Sequence, residues 1–443
     1  MNRRNFITAL PLSALAVKAA LTARADGGAA PAAPGGASIV DSPPILQNPC
    51  GDSMNVVWAV KAPATGYVEF GETPALGQKA VTDHFGLNPF DDRFLQTRVT
   101  GLAPGKTYYY RAVTVPVTYE GAYKIVLGDA VRGEVCRFTT PSAEAGEATF
   151  SVINDTHQNT AALVKIMAKL AALDADYTLW NGDLINDYHT DGQVVANIAR
   201  PADAAFAAGR PLLFVRGNHD YRGPWCRNLP RLLTPWEHAA PAYRNLGYTF
   251  AFRQGPLAII SLDTGEDKPD AHPVFSGMVQ YERNMQRQAE WLEETLKRPD
   301  IASAPHAVAF CHIPLYAPRP DANPGTTLEG YAAFSGLGQK LWGPLLHKAG
   351  VPLVISGHEH RYSFSKPDDG RGWAQLVGGG PTCKGDDPGS PTVIHGRAEA
   401  GRLVVTVHNA DTGAVRDTFT FQPRTVRTAS ADALGTRAPS ARC

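Results

Sequence analysis

Between Ser38 and about Thr140 the apolar positions come in short alternating runs: Asn55-Val56-Val57-Trp58-Ala59-Val60, Tyr67-Val68-Glu69-Phe70, Leu95 to Val99 and Thr107 to Val113. Clusters of Pro, Gly and Asp separate them. Alternation with period two turns one side of each run inward, so this stretch predicts an all-β sandwich over residues 38–141. Beyond Pro141 the period changes, and apolar strands alternate with helical stretches. From Thr160 to Leu173, the residues Leu163, Val164, Ile166, Met167, Leu170 and Leu173 share one helical face. A second helix is predicted from Gln280 to Leu296, with Met285, Ala289, Trp291 and Leu292 available for packing beneath a polar face. This is the pattern of an α/β domain with a buried sheet, running over residues 148–422. Residues 26–37 are rich in Gly, Ala and Pro and predict a linker, and residues 423–443 are too poor in apolar side chains to predict anything but a disordered tail.

Length and charge add bounds to this picture. A chain of 443 residues exceeds what one ordinary core fills, in keeping with two domains. Its 42 basic and 42 acidic residues cancel, which gives no electrostatic case for nucleic acid or an anionic membrane as obligate partner. The first residues, MNRRNFITALPLSALAVKAALTARA, place Arg3-Arg4 ahead of a short apolar run and a small-residue site at Ala23-Arg24-Ala25. They resemble a twin-arginine export signal cut after Ala25, which implies the export machinery as a partner and a periplasmic or secreted location. No segment reaches the roughly 20 apolar residues of a membrane-spanning helix. The six cysteines show no CxxC spacing and so no zinc-thiolate site, while Cys50 and Cys136 bracket the β region as either a disulfide or two free thiols.

The chemistry lies at five strand ends. Phe150 to Ile153 leads into Asn154-Asp155-Thr156-His157, Tyr177 to Trp180 into Asn181-Gly182-Asp183, and Leu212 to Val215 into Gly217-Asn218-His219-Asp220. Ala307 to Phe310 leads into Cys311-His312, and Leu353 to Ile355 into Gly357-His358-Glu359-His360. Ligands of open α/β sheets bind beyond the carboxyl ends of strands, so five segments would deliver Asp, Asn and His side chains to one edge. Each has a plain structural alternative: Asp155 as a helix cap, Gly182-Asp183 as a turn, His312 as a buried histidine bonded to backbone. Taken together they read as a metal site. Imidazoles, carboxylates and an amide without thiolate suit Zn, Mn or Fe, and a ligand surplus over one tetrahedral ion points to two ions sharing a carboxylate. If the last segment stays extended, His358 and His360 point the same way and Glu359 points away.

The order D-x-H, G-D, G-N-H-D, H, G-H-x-H resembles the calcineurin-like metallophosphoesterase superfamily over residues 148 to about 422. The phrase Leu102-Ala103-Pro104-Gly105-Lys106-Thr107-Tyr108-Tyr109-Tyr110, with Phe138-Thr139-Thr140, resembles the tyrosine corner and closing strand of fibronectin type III modules. Tyr109 or a neighbour is expected at that corner. The combination is similar to the purple acid phosphatases and implies a fibronectin III-like β-sandwich followed by an α/β/β/α sandwich of two mixed sheets. By the resemblance, Asp155, His157, Asp183 and His360 would hold one ion and Asp183, Asn218, His312 and His358 the other, with Asp183 bridging. His219 would serve as general acid or transition-state stabiliser, oriented by Asp220. Two departures stand out: Asn186 occupies the position of the family's tyrosine ligand, and His157 supplies an imidazole that the family lacks. The iron(III)-phenolate colour should then be absent, and the two ions, divalent or mixed-valence Fe, Mn or Zn, are not specified further.

These residues imply a secreted dinuclear phosphoesterase, acid-phosphatase-like, attacking a small phosphoric ester with hydroxide. The same site would also serve a phosphodiester, nucleotide or pyrophosphate. Arg222 and Arg361 are the candidate substrate contacts, since arginine grips phosphate oxygens bidentately. The rival reading is a surface binding protein with a vestigial hydrolase domain, which intact ligands in all five segments argue against.

Overall fold

The structure is a computed structural model and describes residues 38–317, 330, 335–368 and 371–425. The expected signal at 1–25, the expected linker at 26–37, most of residues 317–337 and the expected tail beyond residue 425 lie outside the described residues.

The N-terminal region consists of β1 (Val40–Cys50), β2 (Ser53–Val60), β3 (Ala64–Gly71), β4 (Gln78–Ala80), β5 (Phe94–Thr100), β6 (Thr107–Gly121), β7 (Lys124–Leu127), β8 (Val131–Arg132) and β9 (Cys136–Thr139). The layer β1, β2, β5 faces a layer built on β3 and β6, and between them Leu46, Val56, Trp58, Val68, Tyr110 and Phe138 are buried. This is the sandwich core the alternation predicts. The corner tyrosine is Tyr108, one residue before Tyr109: the Ala103 amide donates to Tyr108 Oη at 3.0 Å. Tyr108 and Tyr110 fall on the inward side of β6, whereas Tyr109 is half-buried. Cys136 keeps a free thiol, so it forms no bridge to Cys50.

The sequence predicts a sandwich separate from the α/β domain. In the structure its first layer instead continues the main sheet. β1 runs parallel to β12 (Leu212–Val215), with Gln47 opposite Leu212. Alternation explains how one layer serves two cores: Leu46 and Val56 turn toward the sandwich, while Ile45, Val57 and Ala59 turn toward the α/β region. The described residues from Ile39 onward accordingly gather into one unit.

The α/β region adds β10 (Glu147–Ile153), β11 (Tyr177–Asn181), β13 (Phe250–Gln254), β14 (Leu257–Ser261), β15 (His306–Phe310), β16 (Leu353–Ser356), β17 (Ser363–Ser365), β18 (Ala374–Val377), β19 (Thr392–Glu399), β20 (Arg402–Asn409) and β21 (Val415–Phe421). One sheet runs β21-β20-β19-β10-β11-β12-β1-β2-β5 and the other β13-β14-β15-β16-β18-β17. Both are mixed. Phe150, Val152, Leu179 and Val215 of the first face Phe252, Ile259, Val308, Phe310 and Ile355 of the second, and the rings of Phe150 and Phe310 meet at 5.6 Å. Helix Thr160–Ala172 covers the outer face of the first sheet through Leu163, Ile166, Met167 and Leu170. Val164, expected on that face, is 60% exposed, because it lies off the buried stripe. Helices Tyr281–Thr295 and Gly336–Lys348 cover the second sheet with Met285, Trp291, Leu292, Trp342 and Leu346. Two sheets between helical layers leave both sets of strand ends side by side.

Candidate metal centre

β10, β11 and β12 are parallel neighbours, with Ile153 opposite Trp180 and Asn181 opposite Val215, so their following turns stand side by side. β15 and β16 are parallel neighbours in the other sheet, with Phe310 opposite Ile355. Asn181 joins the two edges, its side-chain amide donating to the carbonyls of Cys311 at 3.3 Å and Ile355 at 3.2 Å. Helix Thr160–Ala172 is capped by Asn159, whose Oδ1 accepts from the Ala162 amide. Asp155 is therefore not its cap and remains for the site.

Ligand-type atoms of Asp155, His157, Asp183 and His360 lie within 4.8 Å of one another, and those of Asp183, His312 and His358 form a second such group. Asp183 belongs to both. Each carboxylate has one oxygen tied down and the other directed inward. Asp155 Oδ2 accepts from the Asn154 side chain at 2.6 Å and the His358 amide at 2.8 Å, while Oδ1 lies 3.3 Å from His360 Nε2. Asp183 Oδ1 accepts from the His219 amide at 2.8 Å, while Oδ2 lies 3.1 Å from His312 Nε2 and 3.5 Å from His157 Nε2. Asn218 stands beside the second group, its Oδ1 3.0 Å from His358 Nδ1.

The histidines are oriented by their other ring nitrogen. His157 Nδ1 donates to Asn186 Oδ1 at 2.7 Å and His312 Nδ1 to the Asn181 carbonyl at 2.8 Å, so each presents Nε2 to the centre. His157 Nε2 and His360 Nε2 stand 2.8 Å apart. The residues following β16 are not extended as expected: His358 and His360 both have positive φ, at 71° and 51°. The pair still divides between the two groups, but a tight left-handed turn divides it, not strand alternation. Asp155, His157 and Asp183 share this conformation, which costs about 1–3 kcal/mol per residue and collects at functional sites. Glu359 belongs to neither group.

The expected partnership of His219 with Asp220 is not formed. His219 Nδ1 donates to the Asn186 carbonyl at 2.7 Å, and Arg222 Nη1 reaches its Nε2 at 2.8 Å. Asp220 is fully buried beneath the turns, accepting from the amides of Gly217 at 2.8 Å, Asp183 at 3.0 Å and Leu184 at 3.3 Å, and from the Tyr188 hydroxyl. Backbone amides of tight turns need acceptors, and this carboxylate supplies them. Burial and the neighbouring Asp183 raise its pKa to about 6. Arg222 commits Nε and Nη2 to Glu266 at 2.6 and 3.0 Å, leaving Nη1 on the side of the centre. Arg361 is exposed at the rim.

The donor set fits metal ions. Asp155 Oδ1, Asp183 Oδ2 and His312 Nε2 are buried with no hydrogen-bond partner among the described residues. Burial lowers the pKa of His312, but Asp183 and Asp155 outweigh it and push the group up to about 10. Burial and the adjacent His312 bring His358 down to about 4. A field that holds a proton this firmly also attracts a cation, and buried carboxylates facing imidazoles without thiolate suit a borderline or hard divalent ion. The side chain of His360 is 45% exposed, which leaves that side open to a substrate.

Three contributors are not evident from the motifs alone: Asn181, Asn186 as an orienting group, and the Asp263–Asp267 segment after β14. The last had a signal. Leu257 to Ser261 is a sixth apolar strand that ends in polar residues, Asp263-Thr264-Gly265-Glu266, as the other five do.

Comparison with known proteins agrees with this geometry. Residues 148–362 match the calcineurin-like phosphoesterase family model. Purple acid phosphatase 21 of Arabidopsis thaliana is 24% identical over 313 residues, 68% of this chain and 60% of its own length. Probable purple acid phosphatase 20 of the same plant is 24% identical over 331 residues, covering 71% of this chain and 67% of its own. The chain thus spans about 60% of the length of the first of these relatives. Among solved structures, a purple acid phosphatase from yellow lupin (Lupinus luteus) seeds superposes with TM-score 0.61 at 15% identity, covering 90% of this chain and 77% of that one. The structure of PhoD superposes with TM-score 0.57 at 13% identity, covering 88% and 92%. Residues 148–362 are a calcineurin-like phosphoesterase domain. Over most of its length the chain shares the fold of the yellow lupin purple acid phosphatase.

Proposed function

We propose that the protein hydrolyses a small phosphoric ester at a dinuclear metal centre in the manner of an acid phosphatase. The observation that carries this reading is Asp183 standing in both ligand groups, with its Oδ2 buried between the imidazoles of His312 and His157. Asp155, His157, Asp183 and His360 would hold one ion and Asp183, Asn218, His312 and His358 the other. The ions, when bound, supply Lewis acidity and lower the pKa of water toward neutrality. The chain's own residues do the rest. His219 is held by Asn186 with Nε2 near the centre, 4.0 Å from Asp183 Oδ2, and accepts there from Arg222 Nη1; protonated at Nε2 once Arg222 turns to a substrate, it would pass that proton to a departing alkoxide. Arg222, anchored by Glu266, keeps positive charge beside that nitrogen. Asp220 fixes the turns that carry Asp183, Leu184 and Gly217.

The N-terminal strands fit a fibronectin III-like module over residues 38–141 attached to a hydrolase domain over 148–422, and the paired arginines Arg3 and Arg4 fit twin-arginine export to the periplasm or beyond. The test is a hydrolysis screen of phosphomonoesters, phosphodiesters and nucleotides with Mn, Zn, Fe or no added metal, on the wild type and Asp183→Asn. Metal-dependent turnover of monoesters that Asp183→Asn abolishes is expected. Preference for diesters or nucleotides would reassign the substrate, and the absence of both bound metal and turnover would overturn the reading in favour of a binding protein.

A further inference from the structure

Behind the His219 turn lies a second cavity, of about 540 Å3, whose wall carries none of the metal ligands. Five arginines line it: Arg216, Arg227, Arg244, Arg283 and Arg287. In a chain whose formal charges cancel, this concentration is unusual. Asp263 is the only acidic residue in the wall among the described residues; its carboxylate accepts from the Tyr221 hydroxyl and the Gly265 amide, and its charge acts on Arg216. None of the five arginines forms an ion pair with a carboxylate among the described residues, whereas Arg93, Arg111, Arg222, Arg231 and several others do.

Arg216 forms the inner part of this site. Its guanidinium lies 4.0 Å from the centre of the Tyr221 ring and 4.9 Å from that of Tyr248, and its Nε is buried without a hydrogen-bond partner. Arg283 and Arg287 come from the first two turns of helix Tyr281–Thr295 at i and i+4, on one face. Like charges at that spacing repel, and cations near a helix N-terminus oppose the helix dipole, so local energetics disfavour both residues. Asp270 caps that helix through the Tyr281 amide but lies outside the cavity wall. An anion in the cavity would relieve both penalties at once.

We propose that this cavity is a second, anion-binding site that takes a phosphoanhydride group, a pyrophosphate unit either free or within a nucleotide. Guanidinium forks match phosphate oxygens bidentately, several of them are needed for two linked phosphates, and the volume is that of a small-ligand pocket. The segment from Arg216 to Tyr221 is shared with the metal centre through Asn218 and His219, so an occupant here rests against the backbone that positions both.

The test is calorimetric titration of the metal-loaded protein with methylenediphosphonate, a non-hydrolysable pyrophosphate analogue. Two classes of binding are expected, one at each site. Arg283→Ala with Arg287→Ala should weaken one class by roughly ten- to hundredfold while metal content stays unchanged. His312→Asn should remove the other class and leave the arginine class intact, so this result stands or falls independently of the hydrolytic reading. Arg287→Lys, which keeps the charge but loses the bidentate fork, should bind more weakly than wild type and more tightly than Arg287→Ala. Repeating the titration with α,β-methylene-ADP separates the sources: equal affinity indicates the phosphoanhydride alone, and tighter binding a nucleotide. A single class of binding, or affinities within twofold of wild type in the double variant, would overturn the proposal.

Discussion

Asn186 Oδ1 accepts the Nδ1 proton of His157 at 2.7 Å, and the Asn186 carbonyl accepts that of His219 at the same distance. One residue therefore orients a metal-binding imidazole with its side chain and the candidate acid with its backbone. The two contacts separate under mutation. Asn186→Ala should lower affinity for the first ion by roughly ten- to hundredfold, as loss of an orienting partner typically does. Asn186→Asp, which keeps the acceptor, should restore most of it. Stepwise metal titration of each variant checks this, and equal affinity in Asn186→Ala and wild type would remove the assigned role.

His219→Ala leaves both ligand groups intact and deletes Nε2. Turnover should fall by about 10²–10⁴-fold with metal content unchanged. Steady-state kinetics beside elemental analysis decides it: parallel losses of activity and metal would make His219 a structural residue.

Gly182 has φ of 82°, and a Cβ there would stand 2.2 Å from His312 Nδ1. Gly182→Ala should displace His312 from the Asn181 carbonyl and reduce bound metal from two ions per chain toward one. Elemental analysis of folded protein reads this directly.

Glu359 lies between two ligands yet in neither group. Glu359→Gln should retain both ions. Loss of metal in that variant would show that the turn at His358 and His360 directs the carboxylate inward.

Burial raises Asp203 from 3.8 to about 7. The folded protein therefore holds this proton more tightly than the unfolded chain. The resulting stability is fully present below about pH 4 and is lost as pH rises through 7. Asp203→Asn removes that dependence, so the Tm of the variant should exceed that of wild type by several degrees at pH 8 and match it near pH 4. Scanning calorimetry at the two pH values is the check, and an equal Tm difference at both would refute the linkage.

Much of the molecule is legible in the order of its residues. Period-two alternation marks β2, β3, β5 and β6, and period 3.6 marks helices Thr160–Ala172 and Tyr281–Thr295, because side-chain direction is set locally by the backbone. The ligand residues are legible for a related reason: each follows an apolar strand, and a polar residue at a strand's carboxyl end has few structural reasons to recur five times. Other features are not local. Whether β1 ends a sandwich or continues a larger sheet depends on Gln47 meeting Leu212, 165 positions away, and no period records that pairing.

The sequence by itself determined which residues stand at the strand ends, and that their donors are imidazole, carboxylate and amide. Only the tertiary structure decided what each of them does. It placed Asp220 beneath the turns, gave Asn186 to His157 and His219, turned Arg222 toward Glu266, and gathered five arginines from separate segments around one cavity. Residue type specifies which hydrogen bonds and charges a side chain can offer. Which neighbour accepts them depends on chain segments far apart in sequence that meet only when the two sheets pack.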